Sequence, residues 1–335
     1  MIQNVLNLVI HFFKTQKLKS LKIISSFILL TLIIAFYLFP FNDLSDYATS
    51  QIYKLTNKSV YAQFEDLEIS LFPFPALQAS NVQVDTKTLP QLKASHITIR
   101  PSLISLLKNK PSIDKLVLED FLKSNLTLRM SETDFTENGA IKSKLNLNMK
   151  NLDLSQLYKM VKYKQGPKPK GSLDAEIKAE LAFDFSENPD GDFAISSQKN
   201  FSLSNFDIVT DLGPVPIPST NYSSFSLKGT IADQIINISE LNLGQPKDPL
   251  YIRIKGESGL EIKKFGQKIK PNIRNYKFKI DIQLTKELEK ELYFLETFMS
   301  EYKSTPPSKN KSRYLFKLNG KNTYSIPQRQ KLSSF

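Results

Sequence analysis

Cysteine and tryptophan are absent from this 335-residue chain, and histidine occurs only as His11 and His96. A chain without cysteine forms no disulfide bond and offers no thiolate to a metal ion. Two isolated histidines disfavour a multi-histidine metal site. We therefore expect neither a metal nor another cofactor. Disulfide-free domains occur on both sides of a membrane, so the missing cysteine does not fix the compartment.

Short catalytic motifs are also missing. The eleven glycines form no glycine-rich phosphate loop, and neither G-x-S-x-G nor H-E-x-x-H occurs. His96 lies in the strand-like segment ASHITIR without an acidic partner nearby in sequence, and a lone strand histidine is more often structural than catalytic. A carboxylate pair that meets only in the folded protein stays open as an alternative. The sequence favours a protein that is not an enzyme.

Positive charge is in excess, with a formal net charge of +12 at pH 7. Most lysines alternate with apolar residues in strand-like segments, which is typical of a solvated sheet face. No nucleic-acid-binding motif accompanies the charge, so we expect no nucleic-acid partner. Attraction to an anionic surface through the lysine clusters in residues 162–170, 263–270 and 309–313 is the remaining alternative.

Residues 23–42, IISSFILLTLIIAFYLFPFN, contain no charged side chain. Twenty such residues match the thickness of a hydrocarbon core, so they predict one transmembrane helix. A cleavage site of the A-x-A kind is missing after the apolar run, which favours an uncleaved anchor over a signal peptide. Aromatic side chains at the far end are candidate interface anchors. They are Tyr37, Phe39 and Phe41.

The charges flanking this segment predict its orientation. Lysines precede it, and Asp43 and Asp46 follow it. The basic topology determinants are Lys14, Lys17, Lys19 and Lys22. Because positive residues stay on the cytosolic side, residues 1–22 are predicted to be cytosolic and residues 43–335 to lie outside the cytosol.

Residues 43–335 are dominated by strict alternation of apolar and polar side chains, the pattern of half-buried β-strands. The clearest segments are 171–185 and 276–284. They predict a mainly β chain with an extended antiparallel sheet, apolar on one face. The candidate apolar face consists of Leu173, Ile177, Leu181, Phe183, Tyr276, Phe278, Ile280 and Ile282. Short helices are predicted at 102–108 and 154–162, and a longer one at 286–302.

The order of these segments resembles the type II secretion system protein N family (GspN) and, more distantly, the AsmA-like periplasmic proteins. The resemblance rests on strand and turn patterns. It covers LEISLFPFPALQASNVQV (67–84), LKASHITIRPSLISLLKNKPSIDKLVLED (92–120), GSLDAEIKAEL (171–181), PVPIPSTNYSSFSLKGTIADQIINISELNLG (214–244) and YLFKLNGKNTYSIP (314–327). Glycine is scarcer and lysine more frequent here than the family pattern suggests.

The resemblance implies a single-pass protein of a bacterial inner membrane with a periplasmic β-rich domain. It implies a non-enzymatic assembly or structural role in type II secretion, with membrane lipids and other secretion-system subunits as partners. The AsmA-like similarity implies an alternative, lipid handling, in which an apolar sheet face shelters acyl chains. Against this alternative, the same face could be an ordinary core closed by the helix predicted at 286–302. The sequence does not indicate an oligomeric state.

Overall fold

The computed structural model describes residues 25–28, 30, 31, 34 and 44–335, the last range without 56, 57, 59, 71–73, 87–89, 103–112, 136–140, 161–166, 183–186, 198–200, 211, 212, 266, 267, 294–297, 323 and 324. Most of the described chain is β-strand, and the strands pair antiparallel. The prediction of a mainly β chain with a large antiparallel sheet is therefore confirmed.

The strands are β1 (Val60–Gln63), β2 (Asp66–Ser70), β3 (Ala76–Thr86), β4 (Leu92–Pro101), β5 (Ile113–Phe121), β6 (Ser124–Phe135), β7 (Ile141–Asp153), β8 (Pro169–Lys170), β9 (Ser172–Ala182), β10 (Asp190–Ser197), β11 (Phe201–Leu203), β12 (Phe206–Thr210), β13 (Gly213–Ile217), β14 (Thr220–Tyr222), β15 (Phe225–Ala232), β16 (Ile235–Leu243), β17 (Leu250–Phe265), β18 (Lys268–Thr285), β19 (Lys303–Ser304), β20 (Lys311–Asn322) and β21 (Gln328–Lys331). The helices whose bounds are described are α1 (Leu44–Leu55), α2 (Leu154–Met160), α3 (Lys286–Glu291) and a 3₁₀ turn (Ser300–Tyr302).

One sheet of 16 strands contains most of these elements. Its order is β1-β3-β4-β5-β6-β7-β9-β10-β15-β16-β17-β18-β20-β19, with β2 also paired to β3 and β21 to β20. Strands that follow one another in the chain are therefore mostly neighbours in the sheet. Two small sheets, β14-β11-β8 and β12-β13, come from the connections beside the main sheet.

The hairpin turns use few glycines. The β15–β16 hairpin has a two-residue loop, Asp233 and Gln234, with φ of 49° and 64°. The β5–β6 hairpin likewise places Leu122 and Lys123 at φ of 53° and 61°. Both loops have the left-handed backbone that matches the twist of the strands, although neither contains glycine. The strand pairing on either side holds these residues in a conformation that side chains disfavour.

Helices occupy the margins of the sheet. α1 packs mainly against β1 and β2, α2 against β7 and β8, and α3 against β18 and β20. α3 begins at the N-cap Thr285, whose hydroxyl accepts a hydrogen bond from the Leu288 amide at 3.4 Å. It ends at Glu291, because Leu292 leaves the helical conformation (φ −97°, ψ 47°). The helix predicted over 286–302 is therefore broken at Leu292, and the described residues Tyr293, Phe298 and Met299 are again helical before the 3₁₀ turn.

The predicted transmembrane segment 23–42 lies mostly outside the described residues, as do the topology lysines and the interface aromatics Tyr37, Phe39 and Phe41. Its described residues, Ser25–Ile28 together with 30, 31 and 34, are helical and exposed. In the described part of the chain, none of the helices combines the length and apolarity needed to span a membrane. The helix predicted at 102–108 also falls almost entirely outside the described residues.

Candidate functional site

Two rows of side chains, nearly all apolar, cross the main sheet at right angles to its strands. Each member lies directly opposite the next member on the neighbouring strand. The first row is Ile69, Leu77, Ile99, Leu116, Leu128, Leu147, Ile177, Phe193, Gly229, Ile238, Gly256, Phe278 and Leu318. The second row is Leu67, Ala79, Ile97, Leu118, Leu126, Met149, Ala175, Ile195, Leu227, Leu241, Ile254, Ile280 and Phe316.

We call these rows the apolar face. On every strand except β16 the two row members are two residues apart and so share one side of the strand; on β16 a bulge between Ile238 and Leu241 takes up the extra residue. Both rows therefore lie on the same side of the sheet. From β2 to β20 the face extends over about 58 Å, at about 4.8 Å for each of the twelve strand-to-strand steps. All of its members are half-buried except Leu67, Gly229 and Phe316, which are buried. A side chain sandwiched between two packed layers would be buried, so most of this face has solvent above it.

Glycines in the first row are matched by aromatic side chains. Phe193 lies opposite Gly229, and its ring occupies the space in which a β-carbon on that glycine would stand. Phe278 lies opposite Gly256, and its ring stacks with that of Tyr276 at 5.8 Å. The aromatic rings thus keep the row apolar where glycine contributes no side chain.

One margin of the apolar face is closed by a buried cluster. Its members are Leu154, Phe201, Tyr222, Leu250, Leu284, Leu292 and Tyr314, from α2, the small sheet, β17, β18, the end of α3 and β20. Leu284, at 0% exposure, lies on the same side of β18 as Ile280. Burial raises the pKa of the Tyr222 hydroxyl to about 12. A closed core therefore covers one margin of the apolar face, and the two rows lie outside that core.

Buried and half-buried carboxylates stabilise the margin of the apolar face at which the cluster lies. Glu289 of α3 accepts hydrogen bonds from Ser312 and from Tyr314, the latter at 2.5 Å, and forms an ion pair with Lys303 at 3.0 Å. Burial raises the pKa of Glu289, but these partners outweigh burial and leave the pKa below its usual value. The carboxylate is therefore held in its charged form where α3 meets β20.

A second carboxylate organises the turn before β17. Asp248 accepts hydrogen bonds from the amide and hydroxyl of Ser223, both at 2.8 Å, and from the Gln245 amide at 2.9 Å. Burial raises the pKa of Asp248, and these hydrogen bonds bring it below its usual value. Both carboxylates are structural, because their partners come from the elements they join.

The predicted face residues separate into two groups. Ile177, Phe278 and Ile280 belong to the two rows, and Leu181 and Tyr276 continue the same side of β9 and β18. Leu173 and Ile282 instead pack against the buried cluster. Phe183 lies outside the described residues. β9 and β18 are five strands apart, about 24 Å, so the rows join two segments that the sequence presents separately.

The opposite side of the sheet is polar, but it is not uniformly solvated. Alternation places Asp281 and Gln283 on the wet side of β18, yet both are buried, Asp281 at 0% exposure. Arg313 donates two hydrogen bonds of 2.8 Å to Asp281, and Arg253 donates one of 3.2 Å. The bond with Asp281 raises the pKa of Arg313. The ring of Phe335 lies 3.8 Å from the Arg253 guanidinium and helps to cover this ion cluster.

Strand pairing places an acidic residue that is distant in sequence beside His96. His96 pairs with Glu119 across β4 and β5, with Nδ1 and Oε2 3.9 Å apart. Both side chains are more than half exposed, so the pair contributes little to stability. Among the described residues, no three or more histidine or acidic side chains are grouped to hold a metal ion.

Comparisons with known proteins give no relative from which a function could be transferred. No family model, no curated protein and no solved structure matches the chain. The apolar face, with its extent and exposure, is therefore the main basis for a functional proposal.

Proposed function

We propose that this protein binds lipids by holding their acyl chains along the apolar face. The observation that carries the proposal is the pair of continuous rows, apolar at every position except two glycines and mostly half-buried. Soluble surfaces rarely expose one contiguous apolar area of this extent, and those that do are commonly interaction sites. A lipid chain suits the rows because it needs burial and no hydrogen-bonding groups.

The shape of the rows favours a chain-like ligand over a compact one. Rows in direct register form a straight strip across the strands, about 7 Å from one row to the next within a strand. The rows present hydrocarbon and aromatic surface, with the polar side chains of the same strands on the opposite side. Acyl chains could therefore lie along the strip in any register. This supports binding of lipids as a class, without selection of one chain length.

The predicted membrane anchor fits this proposal. An anchor at residues 23–42 would hold the sheet beside a bilayer and raise the local concentration of lipid ligands. The GspN resemblance also leaves an assembly role in type II secretion as a prediction. No contact in the described residues favours that role over lipid binding. The sheet edges give strand addition little support, because they carry only short strands, and β21 (QRQK) is entirely polar and exposed.

The proposal is tested by placing one charge on either side of the same strand. Leu147→Glu puts a carboxylate on the apolar face, and Asn146→Glu puts one on the polar side one residue away. Leu128→Glu and Thr127→Glu form a second matched pair on the neighbouring strand. The full chain, purified in neutral detergent, is titrated with a phospholipid that carries a fluorescent acyl chain.

We expect each leucine variant to weaken binding at least tenfold, because a carboxylate in an acyl-chain site must lose its water. Each polar-side variant should stay within twofold of the wild type. Equal affinities across a matched pair, or no binding by the wild type, would contradict acyl-chain binding at this face.

A further inference from the structure

Three lysines lie in direct register on the polar side of the sheet. Lys255 of β17 pairs with Lys279 of β18, which pairs with Lys317 of β20. Directly opposite side chains have β-carbons about 5 Å apart, and like charges in this position destabilise a sheet. Neighbouring charges on this side are arranged differently: Lys228 is paired with Glu240 at 3.4 Å, and Lys277 with Glu257 at 3.4 Å. Because Arg100, Lys115 and Arg129 also pair directly, the row alone does not indicate a role beyond folding, but the cavity that the three lysines line does.

The row lines a cavity of about 490 Å³. The polar side chains around it are Asn237, Ser239, Lys255, Lys277, Lys279 and Lys317. Glu257 is the one carboxylate among the lining residues, and Lys277 already neutralises it. The cavity therefore has three positive charges in excess, together with an amide and a hydroxyl that can donate hydrogen bonds.

The backbone shapes this cavity. Gly256 forms part of its lining with φ of +148°, and a β-carbon there would come within 2.1 Å of the Lys277 carbonyl oxygen. The register of β16 with β17 shifts between Ile238 and Leu241, and that of β17 with β18 between Glu257 and Gly259. Bulges of this kind redirect side chains and are frequent beside functional sites. The lysines thus surround a local irregularity of the sheet, unlike lysines scattered over a regular strand face.

We propose that this cavity binds a phosphate group. Lysine ammonium groups bind phosphate as point charges, and a doubly charged phosphate would offset most of the excess in the row. The lysine side chains are on the side opposite the apolar face, although Ile238 and Gly256 of the first row also line the cavity, and the phosphate proposal does not depend on acyl-chain binding. A phosphorylated lipid headgroup and free inorganic phosphate present the same chemistry.

Isothermal titration of the full chain in neutral detergent tests the proposal and separates the two sources. The titrants are inorganic phosphate, a short-chain phosphatidic acid, and phosphatidylcholine of the same chain length. The test variant is Lys255→Gln/Lys279→Gln/Lys317→Gln. The control variant, Lys142→Gln/Lys178→Gln/Lys228→Gln, removes as many charges, but from lysines that already have carboxylate partners.

We expect the test variant to bind inorganic phosphate or phosphatidic acid at least tenfold more weakly than the wild type does. The affinity of the control variant should stay within twofold of the wild-type affinity at the same ionic strength. Binding of both phosphate ligands supports recognition of the group from either source, and binding of phosphatidic acid alone supports a headgroup. Three results would overturn the proposal: binding of neither, equal loss in both variants, or equal affinity for phosphatidic acid and phosphatidylcholine.

Thermal unfolding provides a second readout. Removing the repulsion in the row should leave the test variant folded, with a melting temperature at or above that of the wild type. Phosphate should raise the melting temperature of the wild type and of the control variant, because it binds only the folded state. A test variant that keeps the full rise would show that phosphate binds elsewhere.

Discussion

Leucine-to-alanine substitutions at two positions on the same side of the sheet should lower the free energy of unfolding by different amounts. Leu284 is buried in the marginal cluster at 0% exposure, whereas Leu147 is half-buried in the first row. Removing three carbon atoms from a buried leucine loses about 2.4 kcal/mol of transfer free energy and leaves a cavity, for a total of about 4 kcal/mol. At Leu147 the transfer loss is smaller and the space opens to solvent, so the expected cost is about 1.5 kcal/mol.

Urea unfolding of the full chain, followed by circular dichroism in neutral detergent, measures this difference. Both variants should keep the wild-type slope and differ in midpoint, with Leu284→Ala clearly lower than Leu147→Ala. Both variants carry the same leucine-to-alanine substitution, so the difference between their free energies of unfolding reports the burial of the two sites. Equal costs near 4 kcal/mol would mean that a second layer covers the rows, which would refute an open apolar face.

Three further outcomes follow from the described contacts. Gln234→Gly should raise the free energy of unfolding by about 1 kcal/mol, measured by urea denaturation, because glycine adopts the left-handed turn of Gln234 without steric cost. Asp281→Ala should lower the free energy of unfolding by about 3 kcal/mol, because Arg313 loses its partner at a partly buried site. The double variant Asp281→Ala/Arg313→Ala should recover part of this loss, because it leaves no unpaired arginine at position 313. The pKa values of Glu289 and Asp248 are lower in the folded protein than their unfolded values of 4.5 and 3.8. Their contribution to the free energy of unfolding is therefore complete above those unfolded pKa values, and it is lost as the pH falls through the lower folded pKa values. Thermal melts should show stability falling below about pH 4.5, with a smaller fall in Glu289→Gln.

Strand positions could be predicted from the sequence because alternation has a period of two wherever one face of a strand is apolar. The segment 171–185 corresponds to β9 (Ser172–Ala182), and 276–284 lies within β18 (Lys268–Thr285). The limits of β18 were less visible, because its first half carries few apolar residues and is separated from the second half by a bulge between Arg274 and Lys277. The break at Leu292 could not be predicted, because the stripe of leucines continues past this residue, and the described residues beyond it are again helical.

Features that depend on register could not be predicted. Lys255, Lys279 and Lys317 each resemble an ordinary solvated lysine, and they form a row only because three strands pair in one particular alignment. Asp281 occupies a polar position in the alternation, but it is buried by arginines from two other strands and covered in part by Phe335. Such burial arises from segments distant in the chain, which local periodicity does not report.

Site-specific photocrosslinking along a single strand tests acyl-chain binding most directly. A photoreactive amino acid is introduced in turn at residues 145–149 of β7, where the apolar positions Leu145, Leu147 and Met149 alternate with Asn146 and Asn148. With the full chain in bilayers that contain labelled phospholipid, we predict strong crosslinks to the acyl chain from the three apolar positions and weak ones from the two asparagines. Crosslinking without alternation, or stronger at the asparagines, would contradict binding of lipid along the apolar face.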